Sequence, residues 1–362
     1  MVCLLLAVLA LILALALGVL QIKAPPPQVE AATSDEASRI SSTAVPAAQD
    51  EPDAESTARF EAMHRLQLMA LSNQLPQPKS DDALHEEIAS KVRWTLASIT
   101  DKPNYAPRRP LLLPKLVQAM NSDDVSRREL ARIIASDPSL AGTLIKLANS
   151  PFYRVASAPI ESVDRAVALL GIEGMRSLVS AALLQPVFKV EGAGFPKFGE
   201  VTWHHTLCSA TAAEAHAQML ESSDPYAAQL LALMMGLATI VVFRVTLDEY
   251  ASRDTPPPAS AMITLIDSQA APVARQVAAS WQLSERIDQA LADQRALQGA
   301  KMSSLGRSLQ FGRFMGALAV LHGHQAMDDD AVSEALKSGG TLASAYERIW
   351  ARRQALQTEG RR

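Results

Sequence analysis

Three histidines and a cysteine crowd into one short stretch, "HHTLCSATAAEAH": His204, His205, Cys208 and His216. On a helix His205 and Cys208 share a face, and His216, eleven residues beyond His205, falls near it. Imidazole and thiolate are ligands for transition metals, so a site can be drawn there. The simpler expectation is a hydrogen-bonded histidine in a helical core, with Cys208 as a small buried apolar residue. "HGH" at 322–324 sets His322 and His324 near a helix end, where positive charge is favourable whether or not a metal is held. Arg127, Arg128 and Arg132 share one side of a helix. They could hold a phosphate or an acidic partner, but a solvated charged face is the expected reading. Ser150, Ser157 and Ser209 lack the G-x-S-x-G setting of a nucleophile, and no glycine-rich phosphate loop occurs.

A second stretch, "LLALMMGLATIVVF" at 230–243, carries no charge and one ordinary polar side chain, Thr239. Fourteen residues fall short of the roughly 17–25 that a bilayer crossing needs, so a buried core helix is expected.

The elements that must position these residues read as helices. The chain has 362 residues, 48% of them apolar and only 5% aromatic. Ala and Leu dominate and β-branched runs are few, which predicts an all-α fold. The net charge of −4 gives no ground for nucleic-acid binding. The two cysteines, Cys3 and Cys208, fit a reducing compartment and are not expected to pair.

Residues 2–20 are apolar without a break. At about 1.5 Å per residue they nearly cross a hydrocarbon core of about 30 Å. No Lys or Arg precedes the run, and "IKA" before Pro25 is a poor cleavage site, so an uncleaved anchor over 1–22 is preferred to a signal peptide. Lys23 then favours the C-terminal part lying in the cytoplasm. From Lys23 to Ala58 there are seven acids and two bases among Pro, Ala and Ser, which predicts a disordered acidic tether over 23–58.

Helical stretches follow at roughly 60–72 and 82–98. The three prolines of "DKPNYAPRRP", 101–110, suggest a boundary between a helical segment 59–109 and a main domain 110–325. Ser126 with Glu129 makes a capping-box pattern. Asp137-Pro138 supplies an N-cap and a first helical residue, and the helix then places Leu140, Leu144, Leu147 and Ala148 on one face. Asn149 stands where a left-handed C-cap belongs. Ser162 can cap "VDRAVALL", Gly171 stops it, and Pro186 ends or kinks the helix after it. Two further helices and a basic tail fill 326–362, with Leu342, Tyr346 and Ile349 as docking residues. The last 17 residues hold five arginines and two glutamates, a net of +3, which could add to attraction by an anionic leaflet.

"LPKLVQAM" and "ELARIIASDPSLAGTLIKLANSPFYRVASAPIESVDRAVALLGIEGMRSLV" together resemble the HDOD family, relatives of the HD metal-dependent phosphohydrolases. The likeness is close over 112–179 and fades from about 190 to 300. It implies a compact all-helical domain acting in bacterial signalling, mostly as a non-catalytic interaction module. In an HD-type fold the first metal ligand follows a Trp on a helix, which Trp203 and His205 match. The His-Asp pair falls in a later stretch whose frame Gly236 and Leu237 match, but Thr239 and Ile240 stand at the pair itself. Asp293 and Gln294 stand where paired histidines would be. A single histidine does not hold a catalytic ion. The expectation is therefore a non-enzymatic, cofactor-free signalling module, single-pass in the inner membrane with its folded domain in the cytoplasm. It would bind an unidentified signalling protein and no nucleic acid. The alternatives are a divergent phosphodiesterase and a domain that senses a small molecule in the vacated pocket. Candidate contact residues are Asn149, Ser150 and Tyr153, for which capping and packing is the rival role.

Overall fold

In the computed structural model the described residues are 54–71, 82–102, 104–105, 107, 127–135, 138–150, 153, 158–188, 195–295 and 301–359. The expected anchor, most of the expected tether, Ser126 and Asp137 lie outside them. Among the described residues every regular element is helical. They belong to one compact unit, Glu51–Arg362; the other unit, Met1–Asp50, lies outside the described residues.

The helices are α1 (Ala54–Ala70), α2 (Asp82–Ala97), α3 (Arg127–Ala135), α4 (Pro138–Ala148), α5 (Val163–Leu184), α6 (Phe198–Met219), α7 (Pro225–Ala251), α8 (Ala259–Ser280), α9 (Glu285–Ala292), α10 (Ser304–Gly323), α11 (Asp329–Lys337) and α12 (Ala343–Glu359). α1 starts within the stretch expected to be tether.

α7 is the central post. Asp224 caps it, its side chain accepting from the Ala227 N–H, and Pro225 takes the first turn, where its missing N–H costs nothing. The helix runs 27 residues and is long and apolar enough to cross a membrane, yet 83% of its most apolar window is buried among other helices. α6 and α8 pack along it, and α2 and α5 also touch it. This is the buried core helix expected at 230–243, longer at both ends.

α6 and α10 form the closest pair. Side chains added at Gly312 and Gly316 of α10 would meet Ser209 and Ala213 of α6 at 2.3–2.6 Å. Glycine is required there by the close approach of two backbones. Gly236 of α7 has the same role against Thr206 of α6.

α1 and α2 do not form a separate pre-domain. α1 lies on α10, α6 and α8, and α2 lies on α7 and α8. Tyr105 donates to Asp248 at 2.6 Å, Arg253 pairs with Glu87 at 2.7 Å, and Trp281 donates its indole N–H to the Pro107 oxygen. The proline-rich link thus joins parts of one core.

α3 and α4 pack on α5. Leu140, Leu144, Leu147 and Ala148 are buried, as their spacing predicts. Ser162 caps α5 by accepting from the Arg165 N–H. Gly171 adopts φ 68°, a left-handed conformation open to glycine at little cost, and the chain kinks there and continues helically. α5 ends at Leu184, and Pro186 lies in the 3-10 turn Gln185–Phe188 that follows. At the other end of the chain Tyr346 and Ile349 are buried as docking residues, but Leu342 is 42% exposed, because it sits in the tight turn Gly340–Leu342 rather than on α12.

Candidate functional site

His205 lies on α6 behind Trp203, which is buried against Phe188 with ring centroids 4.8 Å apart. The His205 Nε2 stands 3.0 Å from the main-chain oxygen of Arg313 on α10 and 3.2 Å from the Ser209 Oγ. A carbonyl oxygen can only accept, so Nε2 carries a proton and donates it. Burial depresses the pKa of His205 to about 4, and the nearby Arg313 charge acts in the same direction, so the ring is neutral at pH 7.

Thr239 donates its hydroxyl to the Met235 oxygen one turn back, at 2.9 Å, as a threonine in a helix can. Ile240 is fully buried among apolar neighbours. Asp293 spends its carboxylate on the start of α10. One oxygen accepts from the Ser303 N–H at 2.8 Å and from its hydroxyl at 2.5 Å, and the other accepts from Gln289. Gln294 donates to the main-chain oxygens of Ala290 and Gly306. Each position where the HD pattern would place a ligand therefore holds a structural bond or an apolar group.

His205, Ser209 and Thr239 border a cavity of about 40 Å³. α1 supplies one wall with Met63, Leu66, Gln67 and Ala70, and α10 supplies Arg313. Gln67 donates to Asp267 of α8 at 2.6 Å and so fastens α1 over the cavity. The His205 Nε2 lone pair is taken up by a proton, and the basic residue Arg313 borders the same cavity. The residues present do not fit a metal centre. Among the described residues no group of three or more His, Cys, Asp or Glu side chains is placed to hold one.

Arg313 was not singled out by sequence reasoning. The available signal was a single charge inside the apolar run "LQFGRFMGALAVL". Neither were Gln67 and the Gly312–Gly316 pair, whose importance depends on distant helices.

The other candidates take structural places. His216 stands 3.1 Å from Ser308 by its Nδ1, while the Ser308 hydroxyl donates to the Ser304 oxygen, so His216 is the donor. Its ring lies on Phe311, and burial lowers its pKa to about 4. His204 is half-buried, and burial lowers its pKa despite nearby Glu200. Cys208 is buried. His322 stands 3.0 Å from Asp329 and edge-on to Trp350, and His324 ends α10. Arg132 is exposed; the side chains of Arg127 and Arg128 lie outside the description.

Pro138 opens α4 as expected, and its N-cap partner Asp137 is among the residues not described. Asn149 does not take a left-handed conformation. Its side chain works instead: the amide donates to the Ile145 and Ile160 oxygens at 2.9 and 2.7 Å, and its oxygen accepts from the Ile160 N–H at 2.8 Å. These bonds stop α4 and pin the far end of the following loop, which removes the need for positive φ. Ser150 donates to the Leu147 oxygen at 2.6 Å. Tyr153 is half-buried against the core, and burial raises its pKa well above that of a free phenol.

A family model described as "HDOD domain" matches residues 106–297. No curated protein matches the chain significantly. Among solved structures, a protein from Shewanella amazonensis named as a candidate metal-dependent phosphohydrolase is 17% identical, with a TM-score of 0.51. That likeness covers 75% of this chain and 99% of the other, and it shows the shared fold. An HDOD domain protein of unknown function from Geobacter sulfurreducens is 20% identical over 74% of this chain and 99% of its own, with a TM-score of 0.49. A protein from Marinobacter aquaeolei named for signal transduction is 15% identical over 84% of this chain and 65% of its own, with a TM-score of 0.45.

Proposed function

The chain belongs to the HDOD domain family, and from that premise we propose that it is a signalling module that presents a helical surface to a partner protein and cleaves no phosphoester. The observation that carries this reading is the His205 Nε2 proton held by the Arg313 oxygen. The histidine that matches the first HD-type ligand position is a tie between α6 and α10. Thr239, Ile240 and Asp293 are equally committed to the fold. A scaffold that keeps its helices and loses its ligands retains recognition as its means of action.

The apolar run 2–20 and the acidic segment after it would hold this surface at the cytoplasmic face of the inner membrane. Within the described part no comparable element is free for that task, because α7 is sealed in the core.

The test uses the full chain purified from membranes. Metal content is measured, and hydrolysis of a phosphodiester such as bis-p-nitrophenyl phosphate is followed with Mn²⁺ or Mg²⁺ added. No turnover above the buffer rate supports the reading. Turnover that a chelator abolishes, together with stoichiometric metal, overturns it. Removal of residues 1–22 should release the chain from the membrane fraction, and retention would overturn the tethering.

A further inference from the structure

Trp94, near the end of α2, is 60% exposed, while the other three tryptophans, Trp203, Trp281 and Trp350, are buried. It shares the outward side of the helix with Ser90, Lys91 and Ala97, all exposed. Two ammonium groups sit over its ring: the Lys91 Nζ is 4.3 Å from the ring centroid and the Lys102 Nζ is 5.1 Å from it. A cation is drawn to the face of an indole, which accounts for where the lysines lie. Most of the ring still stands in water, and the large apolar area that a tryptophan can bury goes unused.

The charges around it are sorted. In the first half of α2, Glu86 pairs with Arg93 at 2.5 Å and Glu87 with Arg253 at 2.7 Å, so arginines match these carboxylates. Among the described residues neither Lys91 nor Lys102 has a carboxylate partner. Asp101, next to Lys102 in the chain, offsets part of their charge, and a positive surplus remains.

The surroundings select the kind of partner. A stable protein interface buries about 800 Å² on each side and gathers aromatic anchors, with lysine depleted. Here the exposed neighbours Ser90 and Ala97 are small, and lysine flanks the tryptophan. Tryptophan with lysine suits the boundary of a bilayer: the indole sits at headgroup level, the lysine stems lie along apolar matter, and the ammonium groups meet lipid phosphates. So small a contact holds when a linker already keeps the domain beside the membrane.

We propose that Trp94, Lys91 and Lys102 form a contact with an anionic lipid surface, so that α2 faces the bilayer and the domain is held in one orientation. The inference rests on the proposed tethering, which supplies the high local concentration that one tryptophan and two lysines need.

The experiment places the full chain in vesicles of phosphatidylcholine with phosphatidylglycerol, or of phosphatidylcholine alone, each with part of the phosphatidylcholine brominated near the top of its acyl chains. Bromine quenches tryptophan on contact, and residues 1–22 contain no tryptophan, so the exposed indole is the one that reports. In the anionic vesicles the emission should shift to the blue and part of it should be quenched. The quenched part should disappear in Trp94→Phe. It should fall several-fold in the double variant Lys91→Gln, Lys102→Gln, in uncharged vesicles and at high salt. These side chains lie at the surface, and circular dichroism checks that the variants fold. Quenching absent from anionic vesicles, or equal in uncharged ones, overturns the inference. So does shielding of Trp94 from acrylamide in native membranes but not in pure lipid, which assigns the surface to a protein. Alkaline carbonate extraction of the same vesicles reads the anchor separately. A chain that resists extraction without quenching keeps the tether and loses the lipid contact. A chain that is extracted yet was quenched keeps the lipid contact and loses the tether.

Discussion

The His205 Nε2 and the main-chain oxygen of Arg313 stand 3.0 Å apart and join helices whose contact residues are 108 positions apart in the chain. The bond runs where α6 and α10 approach most closely, beside the Gly316 that lets their backbones meet. It converts a residue with metal-binding chemistry into a strut and places the ring proton on Nε2, while burial keeps the ring neutral.

His205→Ala should therefore lower stability by about 1–3 kcal/mol, because it removes the bond that ties α6 to the Arg313 oxygen and opens space beside the cavity. Urea unfolding of the full chain measures this. A variant as stable as the parent would show that the strut contributes nothing.

Acid should weaken the fold through two histidines. His205 and His216 are both depressed to about 4, chiefly by burial, from the usual 6.5. Above pH 6.5 both folded and unfolded chains carry them neutral, so their contribution is complete there. As pH falls from 6.5 toward 4 the unfolded chain takes up protons that the folded chain refuses. Each histidine then removes about 1.4 kcal/mol of stability per pH unit. The slope of unfolding free energy over pH 5–6 should become shallower in His216→Gln, with His205 and His204 supplying the remainder, and an unchanged slope would contradict the assignment.

Asn149→Ala should cost about 1–3 kcal/mol, since three hydrogen bonds linking Ile145 to Ile160 are lost at one site. Hydrogen exchange should rise across 145–162. If Asn149 served only as a contact for a partner, the free protein would unfold at the parent's denaturant midpoint.

Two glycines of similar local setting should respond in opposite directions. Gly316→Ala places a methyl group 2.3 Å from the Ser209 Oγ and 2.9 Å from its backbone nitrogen, so the α6–α10 pair must separate, at a cost of about 1–3 kcal/mol or more. Gly142→Ala on α4 meets nothing within 4 Å and should stabilise by about 0.5–1 kcal/mol through helix propensity alone. Thermal unfolding of both variants gives the comparison.

Asp293→Ala should lower stability by about 1–2 kcal/mol, because the start of α10 loses the carboxylate that accepts from Ser303 twice. Ser303 itself would still cap the helix through the Gly306 N–H, which bounds the loss. A null effect on urea unfolding would free Asp293 for another role.

The chemistry of individual residues and their short-range spacing settled much of this protein. Helical period put Leu140, Leu144 and Leu147 inside, Ser162 and Gly171 marked the start and the kink of α5, and Ile240 could never have bound an ion. These are local matters, decided by side-chain geometry within a turn or two of helix. Tertiary structure alone decided the rest. Apolar length cannot distinguish a membrane span from α7, since only its neighbours bury it. Asn149 acts through Ile160 rather than through its own backbone, α1 belongs to the core rather than to a separate segment, and Leu342 faces water because a turn intervenes. The cavity arises where α1, α6, α7, α8 and α10 converge. The physical reason is common to all of them: which partner satisfies a donor, a charge or an apolar face depends on distant segments being brought together, and one segment's pattern does not name its partner.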